Sequence, residues 1–322
     1  MSATQYLRKM KIALAGASGD GLDFSDFKCT FRVRRGDYQN PNSCDLTIYN
    51  LADTTANRIQ NEFTQMEIQA GYEGNYGLIF RGTIKQVRKG RLQQKDNYVA
   101  VTAADGDEAY NFSTMSVSIA AGTQPADAVS AFLSSMAKFG ITQGYVPKLP
   151  QNGNVRGRVY FGMTKEELRG FATNYNCAWS IQDGALTLIP LTSYAPGPIP
   201  LLSSTTGLIG VPEQTQNGIH IKLLLNPSIR IGQLVKLDNA AAVNRYRYGL
   251  DIQSQAANQL LSTSIKTNAD GLYYVMVANH SGDTRGNEWY TDLICLAVDA
   301  TIPFSALAQT AVAPESAAIK MN

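Results

Sequence analysis

Between residues 44 and 84 the sequence alternates in a way that only a β unit satisfies. Leu46, Ile48 and Asn50 fall on one face of an extended chain, and Asp45, Thr47 and Tyr49 fall on the other. That is the period of a strand with one wet face. Met66, Ile68 and Ala70 repeat the pattern opposite Glu67 and Gln69. Between these runs Asp53 or Thr54 can cap a short helix that continues through Arg58 and Ile59. Gly71, Gly74 and Asn75 supply the positive-φ positions of a tight return into a third strand, residues 77–84. Strand, short helix, strand and hairpin have to close on further strands.

Those strands lie on both sides. Ile12 and Leu14 alternate, and the glycine-rich residues 16–21 then break the chain. A phosphate-cradling loop would open a helix, but strand-like residues follow here, so the break reads as a hairpin turn. Phe27, Cys29, Phe31 and Val33 share one face, with Lys28, Thr30, Arg32 and Arg34 on a solvated opposite face. Residues 84–88 and 98–103 form another hairpin, and residues 1–112 therefore read as a barrel or sandwich. Asp105, Asp107 and Glu108 cluster at its end without the ligand spread of a calcium loop.

Residues 113–200 change character and read as a small α/β domain. Thr123 and Pro125 start a helix whose stripe is Val129, Phe132, Leu133 and Met136. Thr164 and Glu167 have the spacing of a capping box, and Leu168, Phe171, Ala172 and Tyr175 form a second stripe. Adjacent Glu166 and Glu167 point in different directions and cannot flank one bond. Residues 178–181 and 185–189 make a hairpin around Asp183-Gly184, with Trp179 expected in the core.

After a stiff run with Pro196, Pro198 and Pro200, alternation returns. Ile219, Ile221, Leu223 and Leu225 share a face, Asn226-Pro227 turns the chain, and Ile229, Ile231, Val235 and Leu237 read as the next strand. Residues 201–240 and 270–300 form a second β domain, with 273–279 and 289–298 as strands and 279–288 as a turn-rich loop. Residues 241–269 read as an insertion, in which Arg245, Tyr246, Arg247 and Tyr248 form a partner-contact loop. Residues 301–322 read as a flexible tail.

Composition removes several functional classes. The 322 residues are 44% hydrophobic and 17% charged with a net charge of +2, a globular balance that gives no electrostatic reason for a nucleic-acid or anionic-membrane partner. No apolar run reaches the roughly 20 residues of a membrane span, and residues 1–10 lack the apolar core of a secretory signal. Cys29, Cys44, Cys177 and Cys295 have no metal or redox spacing and read as free buried thiols, although Cys29 and Cys44 have the separation of one hairpin. Of the two histidines, His220 sits in an apolar strand, while Ser281, His280 and Asp283 are neighbours in one turn and not a triad. No catalytic, cofactor-binding or metal-binding constellation emerges, so the expectation is a protein without enzymatic activity or cofactor.

Three stretches resemble the tail hub, or baseplate hub, proteins of tailed bacteriophages. They are the strand ending Tyr49-Asn50-Leu51 with its helix and the strand through Phe80-Arg81-Gly82, the Trp179 hairpin, and the pattern at Leu208, Leu224, Leu225, Asn226, Pro227, Ile229, Gly232 and Val235. The resemblance covers roughly residues 10–300 and departs from the hub pattern near residues 245–270. It implies an α+β, mostly β fold in which two similar antiparallel β-barrels bracket the α/β domain. It implies a homotrimeric, pseudo-sixfold adaptor with a central channel, joining a six-fold tail tube to a three-fold cell-puncturing spike. Expected partners are the tail tube protein, the central spike protein, and a tape-measure protein or other baseplate proteins, with DNA only as passing cargo. The expected location is the virion tail, assembled in the host cytoplasm. The competing reading is a cell-wall hydrolase or glycan-binding β protein.

Overall fold

The computed structural model describes residues 6–16, 20–37, 39–92, 96–151, 153, 155–215, 218–238 and 271–297. The expected contact loop at Arg245, Tyr246, Arg247 and Tyr248 and the tail 301–322 lie outside the described residues. The first part contains β1 (Tyr6–Gly16), β2 (Gly21–Asp23), β3 (Cys29–Gly36), β4 (Ser43–Tyr49), α1 (Asp53–Glu62), β5 (Phe63–Glu73), β6 (Asn75–Leu92) and β7 (Asp96–Ala104). The alternation read from the sequence holds: Leu46, Ile48, Met66, Ile68 and Ala70 are buried. Gly71 has φ +153°, and a Cβ there would run into the Asn75 carbonyl oxygen, so the return into β6 requires glycine.

The middle of the chain contains α2 (Asp107–Phe112), β8 (Thr114–Ile119), α3 (Pro125–Met136), β9 (Thr142–Gln143), β10 (Arg158–Met163), α4 (Thr164–Asn174), β11 (Cys177–Gln182) and β12 (Ala185–Pro190). Phe132 is its hub, set edge-on to Tyr160 at 5.1 Å and to Phe171 at 5.4 Å. Leu168, Trp179, Leu186 and Leu188 complete this core. The helix starts differ from expectation. Gln124 and Asp127 form the capping box of α3, while the Thr123 hydroxyl bonds the Ala120 carbonyl. Thr164 is already inside α4 and buried, its hydroxyl 2.8 Å from Ser113 and 3.0 Å from Ser135. It ties α3 and the C-terminal cap of α2 to α4 and caps nothing.

The last part contains β13 (Leu201–Leu202), β14 (Leu208–Thr215), β15 (Gly218–Leu224), β16 (Leu234–Leu237), β17 (Leu272–Asp283) and β18 (Trp289–Ala297). Residues 225–233 are not strand: turns fall at 227–228 and 231–232, the second with Gly232 at φ +81°, and β16 starts only at Leu234; Ile229 and Ile231 are buried all the same. The expected loop at 279–288 is strand as far as Asp283, and the turn is confined to 284–288.

Two closed barrels are not what the pairing yields. One antiparallel sheet runs in the order β14-β15-β18-β17-β3-β4-β7-β6-β5-β1-β2, with β16 beside β17 and β13 parallel to β16, and among the described residues it does not close. The cause is β17. Its first residues pair with β16, and Val277 to Asp283 pair with the free edge of β3. A register shift between Val275 and Val277 in the β17–β18 ladder accompanies the change of neighbour. Tyr273, Tyr274, Val275, Met276, Val277 and Ala278 are all buried, as expected of a strand covered on both faces. Across this seam Leu225 and Trp289 join the core built by β1 and β3 to β7. Ile219, Ile221, Leu223, Val235, Val275 and Leu293 form a separate core beyond it.

Candidate assembly interface

The continuous sheet aligns outward side chains across strands. Through the ladder registers, Tyr290, Ser281, Arg32, Asp45, Thr102 and Gln86 follow one another from β18 to β6. Lys222, Asp292, Asn279, Arg34 and Ser43 form a neighbouring row. Arg34 lies 3.4 Å from Asp45, whose carboxylate also accepts the Thr102 hydroxyl at 3.0 Å. Both partners are about half exposed, so water screens the pair and it contributes little to stability. A depression of about 430 Å³ opens on this face beside Arg32, Arg34, Asn279, Ser281 and Asp292. The surface is polar, carries both signs of charge and extends over both ends of the chain.

His280 and Ser281 point to opposite faces of β17. His280 is buried, with Nδ1 2.9 Å from the Thr291 hydroxyl. Burial, reinforced by Arg35 and Arg230, pushes its pKa down to about 3, so the imidazole is neutral at physiological pH. The Asp283 carboxylate accepts the backbone N–H groups of Arg285 and Gly286 at 2.9 Å each. On opposite faces of one strand, the His280 and Ser281 side chains do not converge. A sign follows for stability: the unfolded histidine takes a proton near pH 6.5 and the folded one does not. The wild-type chain should therefore lose stability relative to His280→Gln as pH falls from 6.5 towards 3, by about 1.4 kcal/mol per pH unit. Urea unfolding of both proteins across that range measures the difference.

A buried polar joint sets the middle of the chain against this sheet. Asp183 and Gly184, both with positive φ, make the tight β11–β12 turn. The Asp105 carboxylate accepts the N–H groups of Asp183 at 2.6 Å and Gly184 at 2.9 Å. Arg35, 4% exposed, donates to the Ile79 carbonyl at 3.1 Å and to Asp183 Oδ2 at 2.8 Å. Arg230 reaches the same oxygen at 2.9 Å. Asn42 accepts the Gly36 N–H at 3.1 Å and donates to the Ile181 carbonyl at 3.1 Å. Burial, then the charge of Asp183, raises Asp105 to about 7; Arg35 and the two N–H groups pull it the other way. The acidic cluster seen in the sequence divides, since Asp107 pairs with Lys85 at 2.7 Å and Glu108 lies 3.7 Å from the same lysine. Of the joint, the sequence shows Asp105 as part of an acidic cluster and Asp183 as part of a turn, and nothing joins the two. Arg35 does leave a trace: it occupies the apolar register of Cys29, Phe31 and Val33, where a charge needs a buried partner.

The four cysteines are free and buried; Cys29 faces Ile48 and Cys44 faces Val33 across the β3–β4 ladder. Among the described residues, no helix is long and apolar enough to cross a membrane.

Solved structures share this architecture. The chain is similar to the tail protein from Neisseria meningitidis MC58, with 10% identity and a TM-score of 0.55 over 91% of this chain and 97% of that one. It is similar to the 43 kDa tail protein of prophage MuSo2 from Shewanella oneidensis, with 10% identity and a TM-score of 0.56 over 90% and 98%. A chain of the half-lidded Francisella PdpA–VgrG complex also matches, at 8% identity and a TM-score of 0.53, over 92% of this chain and 59% of that one. No family model and no curated protein matches the sequence. The fold is that of phage tail proteins, and the resemblance read from the sequence holds at that level.

Proposed function

We propose that the chain is a structural hub of a phage tail, a homotrimeric adaptor between a six-fold tube and a three-fold spike. The observation that carries this reading is the β17–β3 seam, which places the two ends of the chain side by side in one sheet with a shared polar face. In a ring of three copies each chain then presents two β lobes, residues 1–112 and residues 201–240 with 270–300. Six lobes meet a six-fold tube while the ring itself stays three-fold, so one chain absorbs the mismatch. Residues 113–200 form the α/β domain held on the rim by the Arg35–Asp183 joint, and 241–269 is an insertion reserved for contacts. The ring encloses a channel through which DNA passes as cargo. The tail tube protein, the spike and a tape-measure or other baseplate protein are its neighbours in the virion tail, after assembly in the host cytoplasm. No bond is made or broken. Near-complete coverage of two tail proteins supports this reading.

Light scattering of the purified chain tests it, with incubation on peptidoglycan as the companion assay. A mass three times the 35.0 kDa chain and no released glycan fragments are expected. A monomer at every concentration, or soluble fragments, would count against the adaptor.

A further inference from the structure

The first strand is not regular at its start. Leu7 is the extra residue of a bulge between Tyr6 and Arg8 in the β1–β5 ladder, and it sits at φ +56° with 56% of its surface exposed. A leucine in the left-handed region is strained and persists only where its surroundings hold it there. A bulge re-aims the side chain beside it, and here that side chain is Arg8. Its guanidinium crosses to the other end of the chain, donates to the Gly286 carbonyl at 2.7 Å and to the Asn287 carbonyl at 3.1 Å, and lies over the Trp289 ring.

The turn between β17 and β18 is held in two halves. Its near half is fastened to residues 26–29: the Thr284 N–H donates to the Cys29 carbonyl at 3.0 Å, the Cys29 N–H donates to the Thr284 hydroxyl at 2.9 Å, and Arg285 donates to the Asp26 carbonyl at 3.2 Å. The carbonyls of the far half, Gly286 and Asn287, accept from Arg8 and from no other side chain among the described residues. Arg8 is exposed, and a cavity of about 520 Å³ adjoins the contact, so water can replace the guanidinium without opening a core. We propose that Leu7 and Arg8 form a sprung latch: Arg8 holds the far half of the turn closed, and relaxation of Leu7 into extended backbone withdraws it. The outer edge of β1 from Tyr6 to Lys11 has no strand neighbour among the described residues, so the start of this strand is free to shift. The part released is the turn with Glu288, which borders the depression beside Arg32 and Arg34. The latch thereby sets one end of the polar face from the opposite end of the chain.

Amide hydrogen exchange on the full chain tests this at Asp283, Arg285 and Gly286, whose N–H groups are bonded within the turn. Arg8→Ala is expected to speed exchange there by about tenfold while β3 and β5 keep their protection. Arg8→Lys keeps the charge but cannot fork onto two carbonyls, and it should behave like alanine. Leu7 gives an independent control, because its side chain is exposed and its substitution leaves the cores intact. Leu7→Asn tolerates the left-handed conformation and should slow exchange by about threefold, whereas Leu7→Val favours extended backbone and should speed it by about threefold. The proposal is overturned if Arg8→Ala leaves the turn unchanged, if Arg8→Lys protects it as wild type does, or if β3 and β5 loosen as much as the turn. It is also overturned if the two Leu7 substitutions shift exchange in the same direction or not at all.

Discussion

Trp289→Ala is expected to destabilise the β sheet by about 3–5 kcal/mol, and to loosen the opposite end of the chain as much as its own. Trp289 belongs to β18, yet its ring lies edge-on to Phe31 at 5.4 Å, and its indole N–H donates to the Gly71 carbonyl at 3.3 Å. It is 1% exposed, and the Arg8 guanidinium lies 5.4 Å from its ring. Truncation leaves a cavity beside Phe31 and Gly282 in the core of this end of the sheet, and it leaves a buried carbonyl without its donor. The check is urea unfolding combined with hydrogen exchange, in which β3 and β5 should lose protection together with β18. Trp289→Phe keeps most of the packing and should fall between the two. Loss of protection confined to β15, β17 and β18 would show that the ends of the chain are independent.

Asp183→Ala should cost a comparable amount, about 3–5 kcal/mol, through charge rather than volume. Its carboxylate is the counter-ion of Arg35, and Arg35 is too deeply buried to find water in its place. Arg230 shares the same oxygen but is about two-fifths exposed, so it loses less. Alanine at φ +54° adds backbone strain that asparagine tolerates better, so Asp183→Asn separates the charge from the geometry. The expected signature is a lower melting temperature together with faster exchange in β11 and β12. Asp105 modulates this joint with a definite sign. Its folded pKa, about 7, lies above the ordinary 3.8, so the contribution of Asp105 itself is fully present below pH 3.8 and is lost as pH rises to 7. The stability of wild type relative to Asp105→Asn should fall across that interval and level off above it.

Much of the fold was legible because the outward faces are wet. The alternation at Leu46, Ile48, Met66 and Ile68 fixed strand faces directly, and the Asp183-Gly184 turn announced its hairpin. The failures share a physical cause, since long-range pairing leaves a weak local signal. The seam between β3 and β17 depends on an edge left open more than 200 residues earlier in the chain; the only local mark is the unbroken apolar run from Tyr273 to Ala278. Thr164 has the letters of a cap but is claimed by Ser113 and Ser135, one distant in sequence and the other on a packed helix. The joint was read as a turn and an acidic cluster because its members, Arg35, Asn42, Asp105, Asp183 and Arg230, come from five separate places in the sequence.

The most direct test of the central claim is an electron-microscopy reconstruction of the chain bound to its tail tube protein. The adaptor account predicts a three-fold ring around an open channel, with six β lobes facing the tube and the ribbon of β8 and β10 on the rim. A single copy on the tube axis, or a ring of any other symmetry, would contradict it.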